Sequence, residues 1–302
     1  MKTVQFMLGA LLISNFSYTA AQSKKTTTIA QPITYDFDLQ GHRGARGLAP
    51  ENTIPAFKKA LELGVSTLEL DVVVSKDKLL VVSHEPWLND QVTVDANNKK
   101  ISKEEGLAYK IFEHTYQDLS LYDVGSLGNE LFPQQVKEKV SKPLLSAVIA
   151  YAEAINPKIK YNIEIKSTPE EEKNGYQPNI EEFADMLVKE LKATLPLNRV
   201  TIQSFDPRVL QYLHKAYPEY TLAYLVFEND YKKNSTDLGF TPQIYSPYYA
   251  LLTPIEVATM HQHNMLVIPW TVNEPEDMKR LLAMGVDGII TDYPNLALPF
   301  RR

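Results

Sequence analysis

Short apolar runs alternate with amphipathic stretches along most of the chain. Eight of these runs have the length and the β-branched or aromatic content of buried strands, with turn residues around them. They cover residues 38–42, 67–72, 161–166, 200–203, 222–226, 243–246, 266–270 and 288–291. The pattern therefore predicts eight short strands that are separated by longer segments.

Helix start signals precede most of the amphipathic stretches, several with proline near the first turn. They are Asn52, Lys142-Pro143, Asn179, Asp206-Pro207, Thr253-Pro254 and Glu274-Pro275. The link between Val226 and Gln243 carries no such signal, and no helix is predicted there. Strands that alternate with helices indicate a parallel sheet, and eight repeats favour an α/β fold of the (β/α)8 TIM-barrel type. An open doubly wound sheet is the alternative.

One pair of strands does not fit the repeat. A second β-rich run, 79–83, follows the second strand too closely for a crossover helix, because parallel neighbours need about a dozen connecting residues. The two runs are therefore predicted to form a hairpin with its turn at Lys76-Asp77. Counting outward from this turn places Glu69 opposite His84.

The chain is predicted to hold one folded domain behind a cleavable leader. Lys2, the apolar run 6–13 and the small residues before Ala21 have the order of a secretory signal peptide. The apolar run is shorter than the roughly 20 residues of a membrane span, so no stable membrane insertion is expected, with retention as an anchor as the alternative. Residues 22–302 would form the barrel, and the polar segment 86–141 is predicted to be an insertion over its mouth.

Composition and charge narrow the classes of function. The 302 residues contain 31 Lys and Arg against 37 Asp and Glu, and the formal net charge is −6. Nucleic-acid binding depends on basic surfaces, so no nucleic-acid partner is expected. The net charge does not exclude a small anionic substrate, because such a substrate responds to the local field of a cleft. The chain has no cysteine, which excludes disulfides and thiol catalysis in a protein that is expected to be periplasmic or secreted. The oligomeric state is not predicted.

Acidic residues interrupt two otherwise apolar strands. Glu69 and Asp71 lie two residues apart, so their side chains share one face of the strand, with Cα atoms about 6.6 Å apart. Asn162, Glu164 and Lys166 share one face of another strand in the same way. Charges buried in a strand are costly unless they are paired or bind a metal. Carboxylates from two strand ends are ligands that Ca²⁺ and Mg²⁺ prefer, so one divalent metal is predicted here. A buried ionic cluster is the alternative.

Two histidines are predicted near the same rim. His42 ends the first strand, with Arg43 directly after it, and the hairpin brings His84 close. A metal and nearby cations would offset charge on phosphoryl oxygens, while one histidine takes a proton from the nucleophile and the other protonates the leaving alcohol. Neither a G-x-S-x-G elbow nor a Walker-type glycine loop occurs in the sequence. The residues therefore favour phosphoryl transfer.

The order of these motifs resembles that of the glycerophosphodiester phosphodiesterase family. Its signature is a His-Arg pair, a Glu-x-Asp and a second histidine, which stand here in "HRGARGLAPENTIPAF", "LELDVVVSKD" and His84. The segments "NIEIKS", "QSFDP", "WTVN" and "GVDGIITDYP" follow in the family's order. The resemblance implies a phospholipase-C-like (β/α)8 barrel. It also implies hydrolysis of glycerophosphodiesters to glycerol 3-phosphate and an alcohol, with attack by the substrate's own glycerol hydroxyl through a cyclic phosphate.

The resemblance also implies roles for individual residues. Glu69, Asp71 and Glu164 would hold one divalent metal ion, Ca²⁺ or Mg²⁺. His42 and His84 would act as general acid and base. Arg43 and Lys166 would hold the phosphate, and Phe205 and Trp270 would form an apolar wall for the glycerol carbons. The residues implied to contact the substrate or support the site are Gln203, Asn273 and Glu51.

Three further residues lie close to these positions in the sequence. Many family members have aspartate after the second histidine, whereas Glu85 follows it here, so the division of acid and base between the two histidines stays open. Asn52 is predicted to cap the first helix, and Asp292 to cap the final turn.

Other functions stay open at this point. A phospholipase-like enzyme would release the cyclic phosphate as its product. A glycosidase would use Glu69 and Glu164 as its pair of carboxylates, although the nearby histidines and basic residues do not suit that chemistry. A non-catalytic barrel would bind phosphodiesters without turnover. The alcohol head group of the substrate is not predicted.

Overall fold

The computed structural model describes residues 34–228 and 230–302. The predicted signal peptide lies outside these ranges, so its cleavage and the export of the protein stay predictions. Among the described residues, no helix has the length and apolar character needed to span a bilayer. The strands in this part of the chain are β1 (Asp38–Gly41), β2 (Thr67–Val74), β3 (Leu80–Val82), β4 (Lys160–Ile165), β5 (Val200–Ser204), β6 (Thr221–Val226), β7 (Ile244–Pro247), β8 (Leu266–Val267) and β9 (Gly288–Thr291).

Eight of the strands form a parallel ring. Their order is β8-β7-β6-β5-β4-β2-β1-β9, and β3 pairs with β2 outside this series. Backbone hydrogen bonds link its two ends, because Asp287 N donates to Val267 O at 2.9 Å. Ile290 N donates to Pro269 O at 3.0 Å in the same seam. The strands therefore form a nearly closed (β/α)8 barrel, which confirms the predicted fold class.

Helices follow most of the strands and cover the outside of the ring. The α-helices of the described residues are α1 (Ile54–Glu62), α2 (Lys103–Ala108), α3 (Tyr116–Leu119), α4 (Leu145–Ile155), α5 (Pro169–Lys173), α6 (Ile180–Thr194), α7 (Pro207–Ala216), α8 (Tyr231–Leu238), α9 (Pro254–Gln262), α10 (Pro275–Ala283) and α11 (Pro294–Ala297). The start signals at Asn179, Asp206 and Thr253 are confirmed, since each side chain accepts a hydrogen bond from a first-turn N–H.

The prediction that the link after β6 lacks a helix is wrong. Helix α8 occupies this link, and the Asp230 side chain caps it by accepting a hydrogen bond from Lys233 N. Gly239 ends the helix in the left-handed conformation. Only Asn234 and Leu238 are buried in α8, so its sequence lacks the apolar stripe from which a helix is predicted.

Strands β2 and β3 form the predicted hairpin, but in a different register. Val72 pairs with Val82, and the turn holds three residues instead of two. Lys78, the last residue of the turn, has a positive φ of 58°, as in hairpins with a three-residue loop. The prediction that Glu69 lies opposite His84 is therefore wrong, and His84 comes after the paired segment.

The segment between β3 and α4 elaborates the barrel in the place predicted for the insertion. It contains α2 and α3, and its apolar side chains pack on Val73 and Val81 of the hairpin in a small separate core. A later part of the segment reaches the loop after β1, because Val136 N donates to Leu48 O at 2.9 Å. The insertion therefore contacts the barrel mouth from one side.

Amide side chains occupy part of the barrel interior and support the charged residues above them. Asn162 Nδ2 donates to Gln40 Oε1 at 2.8 Å and to Gln203 Oε1 at 2.9 Å. Gln203 Nε2 in turn donates to Glu69 Oε1 at 2.7 Å. Buried amides need such partners, so this network fixes Glu69 from below. An apolar cluster elsewhere in the interior consists of Ala223, Ile244, Ile268 and Ile290, with Trp270 packed against it.

Candidate active site

The carboxyl ends of the barrel strands surround a cavity of about 210 Å³. Its wall consists of His42, Arg43, Arg46, Glu69, His84, Glu164, Lys166, Gln203, Phe205, Leu225, Trp270, Thr271 and Ile290. A larger cavity of about 520 Å³ lies where the strands begin, and none of the predicted site residues lines it. Chemistry in barrels of this kind is located at the carboxyl ends of the strands, so the smaller cavity is the candidate active site.

Three carboxylates meet at this cavity. Glu69 and Asp71 point to the same face of β2, and Asp71 pairs in register with Glu164 on the adjacent β4. One oxygen of each carboxylate lies within 4.8 Å of the other two, and all three residues are buried. The predicted convergence is confirmed. In the part of the chain that the structure describes, no other group of acids or histidines has this arrangement.

Burial and close approach shift the pKa of each of these acids. Burial and the Asp71 carboxylate raise the pKa of Glu69 well above its usual range. Burial also raises the pKa of Glu164 to about 7, with Lys166 opposing and Asp71 adding to the shift. Lys166 and Arg43 hold the pKa of Asp71 well below its usual range despite its burial. Asp71 Oδ1 is buried and accepts no hydrogen bond from any described residue, although the Lys166 ammonium lies 3.3 Å away in an ion pair. A divalent cation relieves repulsion among carboxylates and coordinates such oxygens, so these residues could hold a metal.

Two predicted phosphate-binding cations border the acids. Lys166 Nζ lies 2.7 Å from Glu164 Oε1 and 3.3 Å from Asp71 Oδ1. Arg43 Nε lies 3.3 Å from Asp71 Oδ2, and Arg43 Nη1 donates to Glu51 Oε1 at 2.7 Å. Both side chains line the cavity. Glu51 holds Arg43 in place, which is the position expected of a supporting residue.

Asn52 contacts the acids and does not cap α1 as predicted. The N-cap is Thr53, and it makes no side-chain cap hydrogen bond. Asn52 has a φ of 56°, a left-handed conformation that asparagine tolerates better than most residues. Its Nδ2 donates to Asp71 Oδ2 at 2.8 Å. The buried carboxylate is therefore the partner that decides the position of Asn52.

A carboxylate near the chain's other end orients His42. His42 Nδ1 lies 2.6 Å from Asp292 Oδ1, and Asp292 Oδ2 accepts a hydrogen bond from Asn273 Nδ2 at 2.7 Å. His42 lowers the pKa of Asp292 to about 2, although burial raises it. Burial lowers the pKa of His42, although Asp292 raises it. Sequence reasoning missed this role of Asp292, whose signal is its place directly after β9.

A different carboxylate holds the second histidine. His84 Nδ1 lies 2.9 Å from Oε1 of Glu85, the residue that departs from the family pattern. Burial and nearby positive charges lower the pKa of His84. Lys142 anchors the same loop, since its buried Nζ donates to Ser83 Oγ at 2.8 Å. The sequence predicts Lys142 only as part of a helix start, and this contact was missed. Ser83 Oγ then donates to Glu85 O at 2.7 Å.

Aromatic rings form another wall of the cavity. Phe205 and Trp270 meet edge to face, with ring centroids 5.2 Å apart. Trp270 Nε1 donates to Ser246 O at 2.9 Å, so its ring offers apolar surface only. Gln203, which was predicted to contact the substrate, lines the cavity with its amide bound to Glu69. This wall matches the apolar surface predicted for the glycerol carbons.

A parallel barrel with acids, imidazoles and basic groups around one cavity defines the class of barrel phosphodiesterases. The sequence matches the glycerophosphoryl diester phosphodiesterase family over residues 42–296, and the chain belongs to that family. It is therefore a phosphoric diester hydrolase, as the sequence predicts. Family membership sets aside the interpretations as a glycosidase and as a non-catalytic barrel.

Known proteins similar to the chain cover most of its length. A glycerophosphodiester phosphodiesterase of Caldanaerobacter subterraneus subsp. tengcongensis is 34% identical over 254 residues, which cover 84% of this chain and 93% of that protein. A solved structure from Silicibacter pomeroyi DSS-3 has a TM-score of 0.78 at 29% identity, covering 88% of this chain and 92% of that one. A phosphodiesterase of Oleispira antarctica, solved with the product sn-glycerol-3-phosphate, shares the fold with a TM-score of 0.68 at 21% identity, covering 87% and 96%.

Proposed function

We propose that the protein hydrolyses glycerophosphodiesters to glycerol 3-phosphate and an alcohol, with one divalent metal ion in the cavity. One observation carries this proposal: three buried carboxylates share a cavity with two histidines, each held at Nδ1 by a further carboxylate. The similar protein of Caldanaerobacter, which bears the name of this activity, supports the choice of substrate class.

The acid cluster and the neighbouring cations would bind the phosphate together. Glu69, Asp71 and Glu164 would hold Ca²⁺ or Mg²⁺, which when bound polarises the phosphoryl group and offsets its charge. Arg43 and Lys166 would bind non-bridging oxygens. Carboxylate neighbours raise the pKa of both residues although burial opposes this, so both stay charged near neutral pH.

The two histidines would move the protons of the reaction. His42 and His84 each have Nδ1 bound to a carboxylate, which leaves Nε2 for the substrate. Because burial lowers the pKa of each, the neutral imidazole that accepts a proton dominates at neutral pH. One imidazole in this neutral form takes the proton of the attacking glycerol hydroxyl, while the other, in its protonated form, gives its Nε2 proton to the leaving alcohol oxygen. Water then opens the cyclic phosphate with the roles of the two histidines exchanged, which yields glycerol 3-phosphate. Phe205 and Trp270 would pack on the glycerol carbons.

Hydrolysis of glycerophosphoethanolamine, followed by phosphorus NMR, tests this function. We expect glycerol 3-phosphate to accumulate with Ca²⁺ or Mg²⁺, turnover to stop in excess chelator, and activity to return when the metal is restored. Glu69→Gln should need at least about tenfold more metal for half-maximal activity. Glu62→Gln, at an exposed acid of α1, should match wild type.

Two results of the same experiment would contradict the proposal. Full turnover in excess chelator would show that the acid cluster does not act through a metal. A cyclic phosphate that persists as the end product would assign the chain to the phospholipase-like reaction.

A further inference from the structure

Arg46 lines the active-site cavity without taking part in the acid cluster. It lies on the loop between β1 and α1, and its Nε is 3.0 Å from Glu51 Oε2. No hydrogen bond joins either terminal Nη group to residues 34–228 and 230–302, and the ion pair of Arg46 with Glu51 has its shortest contact at Nε. These two groups are therefore available to a ligand in the cavity.

The insertion holds Arg46 in this position. Its guanidinium carbon lies 4.4 Å from the centroid of the Phe132 ring, which stacks beneath the cation. Gln135 Nε2 donates to the carbonyl oxygen of Arg46 at 2.8 Å. Side chain and backbone are thus both ordered before a ligand arrives, which lowers the entropic cost of binding.

Two carboxylates face Arg46, those of Glu51 and Asp292, and each has another charged or titratable partner. The Glu51 carboxylate is shared between two arginines, because its Oε1 accepts a hydrogen bond from Arg43 and its Oε2 faces Arg46. Arg43 also contacts Asp71, and Lys166 contacts the acid cluster, so these two cations already stand where the reacting phosphate would bind. Arg46 is a third cation at the cavity, and it forms no ion pair with the acid cluster.

Arg46 and the aromatic wall occupy different parts of the cavity rim. Arg46 follows β1 and Phe205 follows β5, which is the third strand from β1 around the ring. A phosphodiester carries two arms, and the apolar glycerol carbons suit the aromatic side. The alcohol arm would then extend toward Arg46.

Resting on the proposed function, we propose that Arg46 selects glycerophosphodiesters whose alcohol arm carries an anionic group, a carboxylate in particular. The two Nη groups and the planar carboxylate can form paired hydrogen bonds, which is the strongest recognition that an arginine offers. An alcohol with a positive charge alone would meet a like charge at the same place.

A pair of substrates tests this inference. Glycerophosphoserine and glycerophosphoethanolamine differ by one carboxylate on the alcohol arm. We expect kcat/KM of the wild-type enzyme to be about tenfold higher for glycerophosphoserine. Arg46→Gln should bring this ratio close to one. Arg280→Gln removes the same charge from an exposed ion pair with Asp277 on α10, and should keep the wild-type ratio.

A second variant keeps the charge and changes only its support. Phe132→Leu removes the ring beneath the guanidinium, and should lower the ratio about two- to fivefold. A wild-type ratio of one or below would overturn the inference without any variant. Equal losses for both substrates in Arg46→Gln would also overturn it, because Arg46 would then serve the shared phosphate or the loop. If the wild-type enzyme hydrolyses neither substrate, the proposed function fails, and this inference fails with it.

Discussion

At the scale of single residues, the site depends on carboxylates that orient imidazoles. Asp292 is the clearest case, because it accepts hydrogen bonds from His42 and from Asn273 on different oxygens. Its charge favours the His42 tautomer that carries a proton on Nδ1, which leaves Nε2 free to accept a proton. A single side chain therefore sets both the orientation and the protonation of a proposed catalytic group.

We predict that Asp292→Asn lowers kcat/KM by about 10²-fold. His42 and Asn273 contact different oxygens of Asp292, and asparagine replaces one of these oxygens with an amide NH2 group. An amide N–H that faces Nδ1 favours the wrong tautomer. The loss of the negative charge also removes an effect that raises the pKa of His42, so the limb of the pH–rate profile that reports this histidine should move to lower pH. Steady-state kinetics across the pH range measure both changes.

A second His–Asp pair in the chain provides a matched control. His261 Nε2 lies 2.8 Å from Asp287 Oδ2, and neither residue lines the active-site cavity. Asp287→Asn should therefore keep the wild-type activity and pH profile. If Asp292→Asn also kept both, Asp292 would have no part in orienting His42.

At the scale of elements, the loop after β1 requires a close approach to α1. Gly44 has a φ of 86°, and a Cβ placed there would lie 2.6 Å from the carbonyl carbon of Ala56. This approach lets the loop present Arg43 and Arg46 to the cavity directly above the helix. A glycine is required here both by the backbone conformation and by the space available.

We predict that Gly44→Ala lowers the free energy of unfolding by about 2–4 kcal/mol, from left-handed strain together with the contact against Ala56. Gly239→Ala separates the two effects, because Gly239 also has a positive φ of 77° but no atom within 4 Å of the added Cβ. The free energy of unfolding of this control variant should fall by only about 1–2 kcal/mol. Urea denaturation measures both values, and equal losses would show that the contact with Ala56 does not matter.

At the scale of the whole molecule, the barrel brings three buried carboxylates together, and the proposed metal ion would relieve their mutual repulsion. Burial raises the pKa of Glu164 to about 7 and that of Glu69 well above its usual range, so both acids are largely protonated at low pH. A metal must displace these protons. Metal binding should therefore strengthen as the pH rises through about 7.

We predict that saturating Mg²⁺ or Ca²⁺ raises the Tm much more at about pH 8 than at about pH 5. Glu164→Gln keeps an oxygen ligand but does not titrate, so it should reduce the difference between the two pH values. Glu153→Gln, at a partly exposed acid paired with Arg199 outside the cavity, should preserve it. Thermal unfolding with and without metal is the measurement. Equal metal stabilisation at both pH values would contradict the assignment of these acids as ligands.

The amino-acid sequence by itself determined the properties that depend on neighbours in the chain. The period of apolar residues predicts the barrel strands, and capping residues such as Asn179 and Thr253 predict the helix starts. The two-residue spacing of Glu69 and Asp71 places both on one face of β2, because side chains alternate along any strand. The same alternation indicated the second acidic strand, and the family motifs then implied roles for these acids and for both histidines.

Only the tertiary structure decided which distant residues meet. His42 and Asp292 are 250 positions apart and meet because β1 and β9 are neighbours in the ring. The three-residue turn of the hairpin and the contact of Asn52 with Asp71 each overrode a local pattern. A local pattern cannot specify these features, since the competing energies come from buried charges and from strand pairing, which exist only once the chain has folded.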